Sequence, residues 1–276
     1  MTLSAGTSTT AALLADRLEL AAKLSSSYAA ANPFPHAVID GLFDAERLKA
    51  VADELPRDAP GWKVYDTGTE LKRVLDRPEE FGRSARQLAE ELNSSEFVRF
   101  LERLTGIRGL IPDPHLTAAG YFDVPRGGFL DVHIDFTRNR KLALVRRVNV
   151  LVYLNEDWQP EWGGQLELWS DMDDGPVREI VPLLNRTVVF STPDAAHGHP
   201  KPVSAPGARS RLCFSAYYFT SPIRGDSSVT HHGVRFGERK PRRRGQTLRR
   251  VLPPVVYDGL RASRRRLRGR RRPAVT

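Results

Sequence analysis

His133 and Asp135, two residues apart in the stretch Asp131-Val-His-Ile-Asp135, are the pair in this chain best placed to hold a metal ion. In an extended strand, residues i and i+2 share a face, so both side chains reach one ion if Asp135 sits at or just past the strand end. Two ligands do not make a site. Of the seven histidines, His197 and His199, in Ala196-His-Gly-His-Pro200, lie inside a β-rich region and follow a complete strand at Thr187–Phe190. Two imidazoles and one carboxylate on one side of a metal form a facial triad, the donor set of non-haem Fe(II). Three coordination positions then stay open for a bidentate 2-oxo acid and O2. A solvent-exposed His-x-Asp pair is the commoner meaning of the first motif alone.

Fourteen residues after His197, Arg211 opens a further apolar strand, Leu212–Phe219. A guanidinium presents a planar two-donor fork that matches a carboxylate, which gives a reason for an arginine to point inward there. Arg209, two residues earlier on the same face, competes for that role. Cys213 is the single cysteine, so disulfide frameworks and multi-cysteine metal sites are excluded and any metal must take His and carboxylate ligands.

The elements that must position these residues change character along the chain. Apolar residues recur at helical spacing over Ala12–Ala30, Ala45–Leu55 and Phe97–Leu104, with Asp44 and Ser95 as N-caps of the last two, and His36–Ile39 reads as a short strand. From His115 the pattern becomes short segments rich in Val, Leu, Phe and Tyr between Gly, Pro and Asp clusters, at 115–123, 129–136, 147–154, 165–170, 177–181, 186–191 and 211–219. Without helices long enough for parallel crossovers, these strands form a sandwich or jelly roll. The expected fold is therefore α+β, with residues 1–114 a helical region packed on a β core at 115–222.

Beyond residue 222 the chain becomes Arg-rich. Residues 235–276 carry a net +14 of the whole chain's +9, which leaves −5 on residues 1–234. The high pI thus belongs to a basic C-terminal tail, 223–276, expected to be partly disordered apart from an amphipathic helix around Leu248–Leu260. No apolar run reaches the ~18 residues a bilayer requires, and the first thirty residues lack a signal-peptide pattern. A cytoplasmic location is the expectation.

Several stretches together resemble the prolyl-4-hydroxylase-like 2-oxoglutarate/Fe(II) oxygenase family. They are Pro33-Phe-Pro-His-Ala-Val-Ile-Asp40, Gly127-Gly-Phe-Leu-Asp-Val-His-Ile-Asp-Phe136, Arg146-Arg-Val-Asn-Val-Leu-Val-Tyr-Leu-Asn155, Trp162-Gly-Gly-Gln-Leu-Glu-Leu-Trp169, Asn185-Arg-Thr-Val-Val-Phe190, His197-Gly-His-Pro-Lys-Pro202 and Tyr217-Tyr-Phe-Thr220. The resemblance implies a double-stranded β-helix, or jelly roll, with N-terminal flanking helices. It matches His133, Asp135 and His197 to the family's iron ligands and Arg211, rather than Arg209, to its co-substrate arginine. His199 falls at a variable place. Tyr153, Asn149 and Tyr121 become candidates to hydrogen-bond 2-oxoglutarate, against the ordinary alternative of buried side chains with backbone partners. The implied cofactor is Fe(II), with 2-oxoglutarate as co-substrate and ascorbate as an optional reductant. The implied reaction hydroxylates a prolyl or other peptidyl residue, or a small molecule, with O2, giving succinate and CO2. The carboxylate at Asp135 favours hydroxylation over halogenation.

Two other readings compete. A jelly roll can bind metal or sugar without turnover, and a basic tail can bind nucleic acid or an anionic membrane surface through its charge. The substrate and the oligomeric state have no signature in the sequence.

Overall fold

Helix α2 (Ala45–Asp53) shows how local sequence sets the elements in the computed structural model, which describes residues 6–139, 141–172, 175–222 and 232–237. The Asp44 carboxylate accepts from Arg47 N at 2.8 Å, as its N-cap expectation requires, and Leu48 and Val51 are buried. Helix α1 (Gly6–Ala29) precedes it, and α3 (Arg83–Leu92) and α4 (Ser95–Thr105) follow. The cap of α4 is Ser94, one residue before the expected Ser95; its hydroxyl accepts from Phe97 N at 3.2 Å. Phe97, Phe100, Leu101 and Leu104 then line one buried face of α4.

Fourteen strands occur among the described residues, in one antiparallel sheet that curls into the jelly roll. Those before the His-x-Asp motif are β1 (His36–Asp40), β2 (Lys63–Asp66), β3 (Glu70–Leu75), β4 (Ile111–Pro112) and β5 (Gly120–Val124). Then come β6 (Phe129–Ile134), β7 (Arg138–Asn139), β8 (Leu144–Tyr153), β9 (Leu166–Trp169) and β10 (Pro176–Ile180). The last four are β11 (Arg186–Ser191), β12 (Ala196–His199), β13 (Arg211–Thr220) and β14 (Arg235–Phe236). The main order is β1-β11-β8-β13-β5-β3-β6-β12-β9-β10. Alternation along the central strands separates two layers. Val148, Val150, Val152, Val189, Phe214 and Tyr218 pack with the helices, while Tyr153, Val188, Phe190, Leu168 and Cys213 form the inner core.

The structure revises the expected boundaries. The region before residue 115 is not a separate helical layer, because β1 pairs with β11 and β3 lies between β5 and β6. The sequence Glu-Leu-Lys-Arg-Val-Leu hides β3 by placing charges on both faces. Those charges are partnered: Lys72 pairs with Glu70 at 2.9 Å and Arg73 with the buried Asp123. On the far side of the β core, residues 232–237 also join the sheet. β14 pairs with β6, setting Phe236 opposite His133, and Gly237 N donates to Val132 O at 3.2 Å. The proposed helix at Leu248–Leu260 lies outside the described residues. Among the described residues no helix is long and apolar enough to cross a membrane.

Candidate metal and co-substrate site

β12 docks on β6 with His197 opposite His133, which brings the two imidazole centroids to 4.5 Å. Asp135 lies just past the end of β6, as the His-x-Asp spacing anticipates. In each histidine Nδ1 donates to the carbonyl two residues back, His133 to Asp131 O at 3.0 Å and His197 to Ala195 O at 2.9 Å. That bond fixes the tautomer and leaves the Nε2 lone pair free as a ligand. His133 Nε2 lies 3.5 Å from Asp135 Oδ1 and His197 Nε2 lies 3.6 Å from Oδ2, and one ligand atom from each residue falls within 4.8 Å of the others.

All three side chains are buried. Burial, together with the neighbouring His133, pulls the His197 pKa down to about 4, so that ring is neutral near pH 7. Burial alone would raise the Asp135 carboxyl, but the Arg146 guanidinium and the two imidazoles outweigh it and hold the group well below the usual range. Nε2 lone pairs turned toward one buried carboxylate repel it unless a cation lies between them. This hard N/O donor set fits Fe(II).

Arg211 is also buried and faces the interior. Its Nε donates to Gly164 O at 2.6 Å and its Nη2 to the Tyr153 hydroxyl at 3.0 Å. Gly164 has φ +74°, and a Cβ there would come 2.9 Å from Arg211 Cδ, so the turn both holds and makes room for the arginine. Arg209 is exposed and lies over the Trp162 ring, 5.4 Å away. The geometry favours Arg211 over its competitor as the inward guanidinium. His199 is buried on the same strand as His197, and its Nδ1 has no hydrogen-bond partner. It stands outside the three-residue cluster.

Two expected co-substrate contacts are redirected. Tyr121 faces the helical layer, where its hydroxyl donates to Val51 O at 2.7 Å, and so lies on the wrong side of the sheet. Asn149 faces the interior but is already engaged, because its Nδ2 donates to Asp135 Oδ2 at 2.8 Å. The sequence reading missed Arg146, a buried cation whose Nη2 lies 3.1 Å from the same Asp135 oxygen. An arginine inside a Val-rich strand was the available signal.

Residues 116–219 match the sequence model of the 2OG-Fe(II) oxygenase superfamily. That segment of the chain is similar to the superfamily. The superfamily so matched is named for its Fe(II) cofactor and its 2-oxoglutarate co-substrate. Solved structures show the same fold. A prolyl-4-hydroxylase from Pseudomonas putida is 21% identical, with TM-score 0.55, over 72% of this chain and 98% of its own. A prolyl hydroxylase from Trichoplax adhaerens, in complex with a hypoxia inducible factor peptide fragment, is 20% identical, with TM-score 0.55, over 75% and 91%. A prolyl 4-hydroxylase from Phytophthora capsici is 17% identical, with TM-score 0.54, over 89% and 76%. No curated protein sequence matches this chain.

Proposed function

We propose that this chain is a 2-oxoglutarate-dependent hydroxylase that holds Fe(II) through His133, Asp135 and His197 and anchors the distal carboxylate of 2-oxoglutarate on Arg211. The observation that carries the proposal is the convergence of two backbone-oriented Nε2 atoms and one buried carboxylate at the end of β6 and on β12. When bound, Fe(II) with O2 and 2-oxoglutarate supplies the oxidation: one oxygen atom ends in succinate, released with CO2, and the other in the hydroxylated substrate.

The chain's own residues bind, orient and exclude water. Asp131 O and Ala195 O aim the two imidazoles, and the Gly164 carbonyl and the Tyr153 hydroxyl aim Arg211. Phe190, whose ring centroid is 4.8 Å from that of His197, and Phe236, 5.6 Å from that of His133, make the surroundings apolar. Burial of Arg211 beside the Tyr153 ring strengthens its pairing with a carboxylate. The substrate proposed is a peptidyl residue or a small molecule bearing an unactivated C–H.

Mn(II) titration of the purified protein tests the ligand assignment. One ion should bind, His197→Ala and Asp135→Ala should each abolish binding, and His199→Ala should keep it. Retention in His197→Ala with loss in His199→Ala would move the distal ligand two residues on. Release of CO2 and succinate from 2-oxoglutarate by the Fe(II)-loaded protein, screened with candidate peptides and cell extract, tests turnover. A protein that binds the metal and never consumes 2-oxoglutarate would be a binding module instead.

A further inference from the structure

We infer that Arg146 and Asn149 form a clamp on one oxygen of Asp135, which limits that carboxylate to a single bond with the metal and reserves a third coordination position. The inference rests on the assignment of Asp135 as an iron ligand. Oδ2 accepts from Asn149 Nδ2 at 2.8 Å and lies 3.1 Å from Arg146 Nη2. Asn149 fills one lone pair of Oδ2, and the Arg146 cation, paired by charge with the same oxygen, makes it the poorer metal ligand of the two, which leaves Oδ1. Oδ1 is the atom 3.5 Å from His133 Nε2, and the clamped Oδ2 is the atom 3.6 Å from His197 Nε2.

The clamp is braced. Arg146 donates from Nε and Nη2 to Asn149 Oδ1 at 2.9 and 2.6 Å, so the amide is held with its NH2 toward Asp135. The guanidinium is itself fixed, its carbon 3.5 Å from the Tyr217 ring centroid and 4.5 Å from that of Phe136, with the residue 1% exposed. Such a buried, stacked cation has little freedom to follow a moving carboxylate. Were Asp135 to bind through both oxygens, a six-coordinate ion would keep two positions, which a chelating 2-oxo acid would fill. With one oxygen withheld, three remain.

The test uses the full-length protein with Mn(II) as the probe. It reads three quantities: the number of exchangeable waters on the bound ion, from water-proton relaxation, and the affinities for Mn(II) and for 2-oxoglutarate. Asn149→Leu removes one donor and the brace while keeping the Arg146 charge, and Arg146→Met removes the other. Each should lose one exchangeable water relative to the unsubstituted protein and bind 2-oxoglutarate about tenfold more weakly or worse. Mn(II) should bind equally or more tightly, because the freed oxygen adds a ligand and, in Arg146→Met, a competing cation is gone. If Arg146→Met fails to fold, Asn149→Leu carries the test alone. An unchanged water count with unchanged 2-oxoglutarate affinity in Asn149→Leu overturns the clamp, and so does a parallel loss of both affinities, which a merely structural role produces. Asp135→Ala separates the two claims: if it binds Mn(II) as tightly as the unsubstituted protein, the ligand assignment fails whatever the clamp variants show.

Discussion

Arg211 and Arg209 differ by one step of the pleat, yet only Arg211 is buried and bonded on the inside, to Gly164 O and the Tyr153 hydroxyl. Hydrogen bonds to a charged group contribute about 1.5–3 kcal/mol each. Arg211→Ala should therefore weaken 2-oxoglutarate binding to the Mn(II)-loaded protein by roughly one to two orders of magnitude and leave Mn(II) affinity in place. Arg209→Ala should change neither, and the reverse pattern in calorimetric titrations would shift the anchor upstream. His133 and Asp135 were legible from their spacing on a strand, whereas the choice of His197 over His199 and of Arg211 over Arg209 came from the family resemblance. The partners of Asn149 and Tyr121 were not legible. Whether a polar side chain in a strand meets a co-substrate, a ligand carboxylate or a helix carbonyl depends on what packs against that face, which one strand's sequence does not encode.

Strands and their irregularities account for most of what the sequence concealed at the scale of elements. The pairing of β8 with β13 shifts register between Tyr218 and Phe219, so that Tyr218 opposes Val148 and Phe219 opposes Arg146. The extra residue, Arg147, lets Arg146 and Asn149 meet on one face although an odd separation should divide them. β12, Ala-His-Gly-His, has neither β-branched nor aromatic residues apart from its histidines and reads as a loop until it is seen between β6 and β9. Tyr121 is the tie from β5 to α2, and Tyr121→Phe should lower unfolding stability by about 1 kcal/mol with no change in 2-oxoglutarate affinity, as urea denaturation and titration would show. Gly164→Ala should do the opposite. Its Cβ would press on Arg211 at 2.9 Å, so co-substrate affinity should fall more than stability does, and an unchanged affinity would mean that the arginine side chain yields without cost.

For the whole molecule, the α+β architecture was readable from helical spacing giving way to short apolar strands, but its outer limits were not. β14 fastens residues 235–236 along the β6 edge beside His133, and Arg235 lies 3.5 Å from Asp194. Truncation after Gly237 should therefore preserve Mn(II) binding and melting temperature, whereas truncation after Pro222 should bare that edge, lower the melting temperature by several degrees and promote association. Equal behaviour of the two truncated proteins would show β14 to be dispensable. The strand order carries a consequence for how the chain reaches this state. β6 has β3 on one side and β12 on the other, and sixty-four residues separate His133 from His197. Pairings so remote in sequence must close large loops before any apolar burial rewards them, which places the molecule among slow, high-contact-order folders. The cluster of His133, Asp135 and His197 is thus assembled by a late long-range docking step, and until then the growing chain presents its two histidines one at a time.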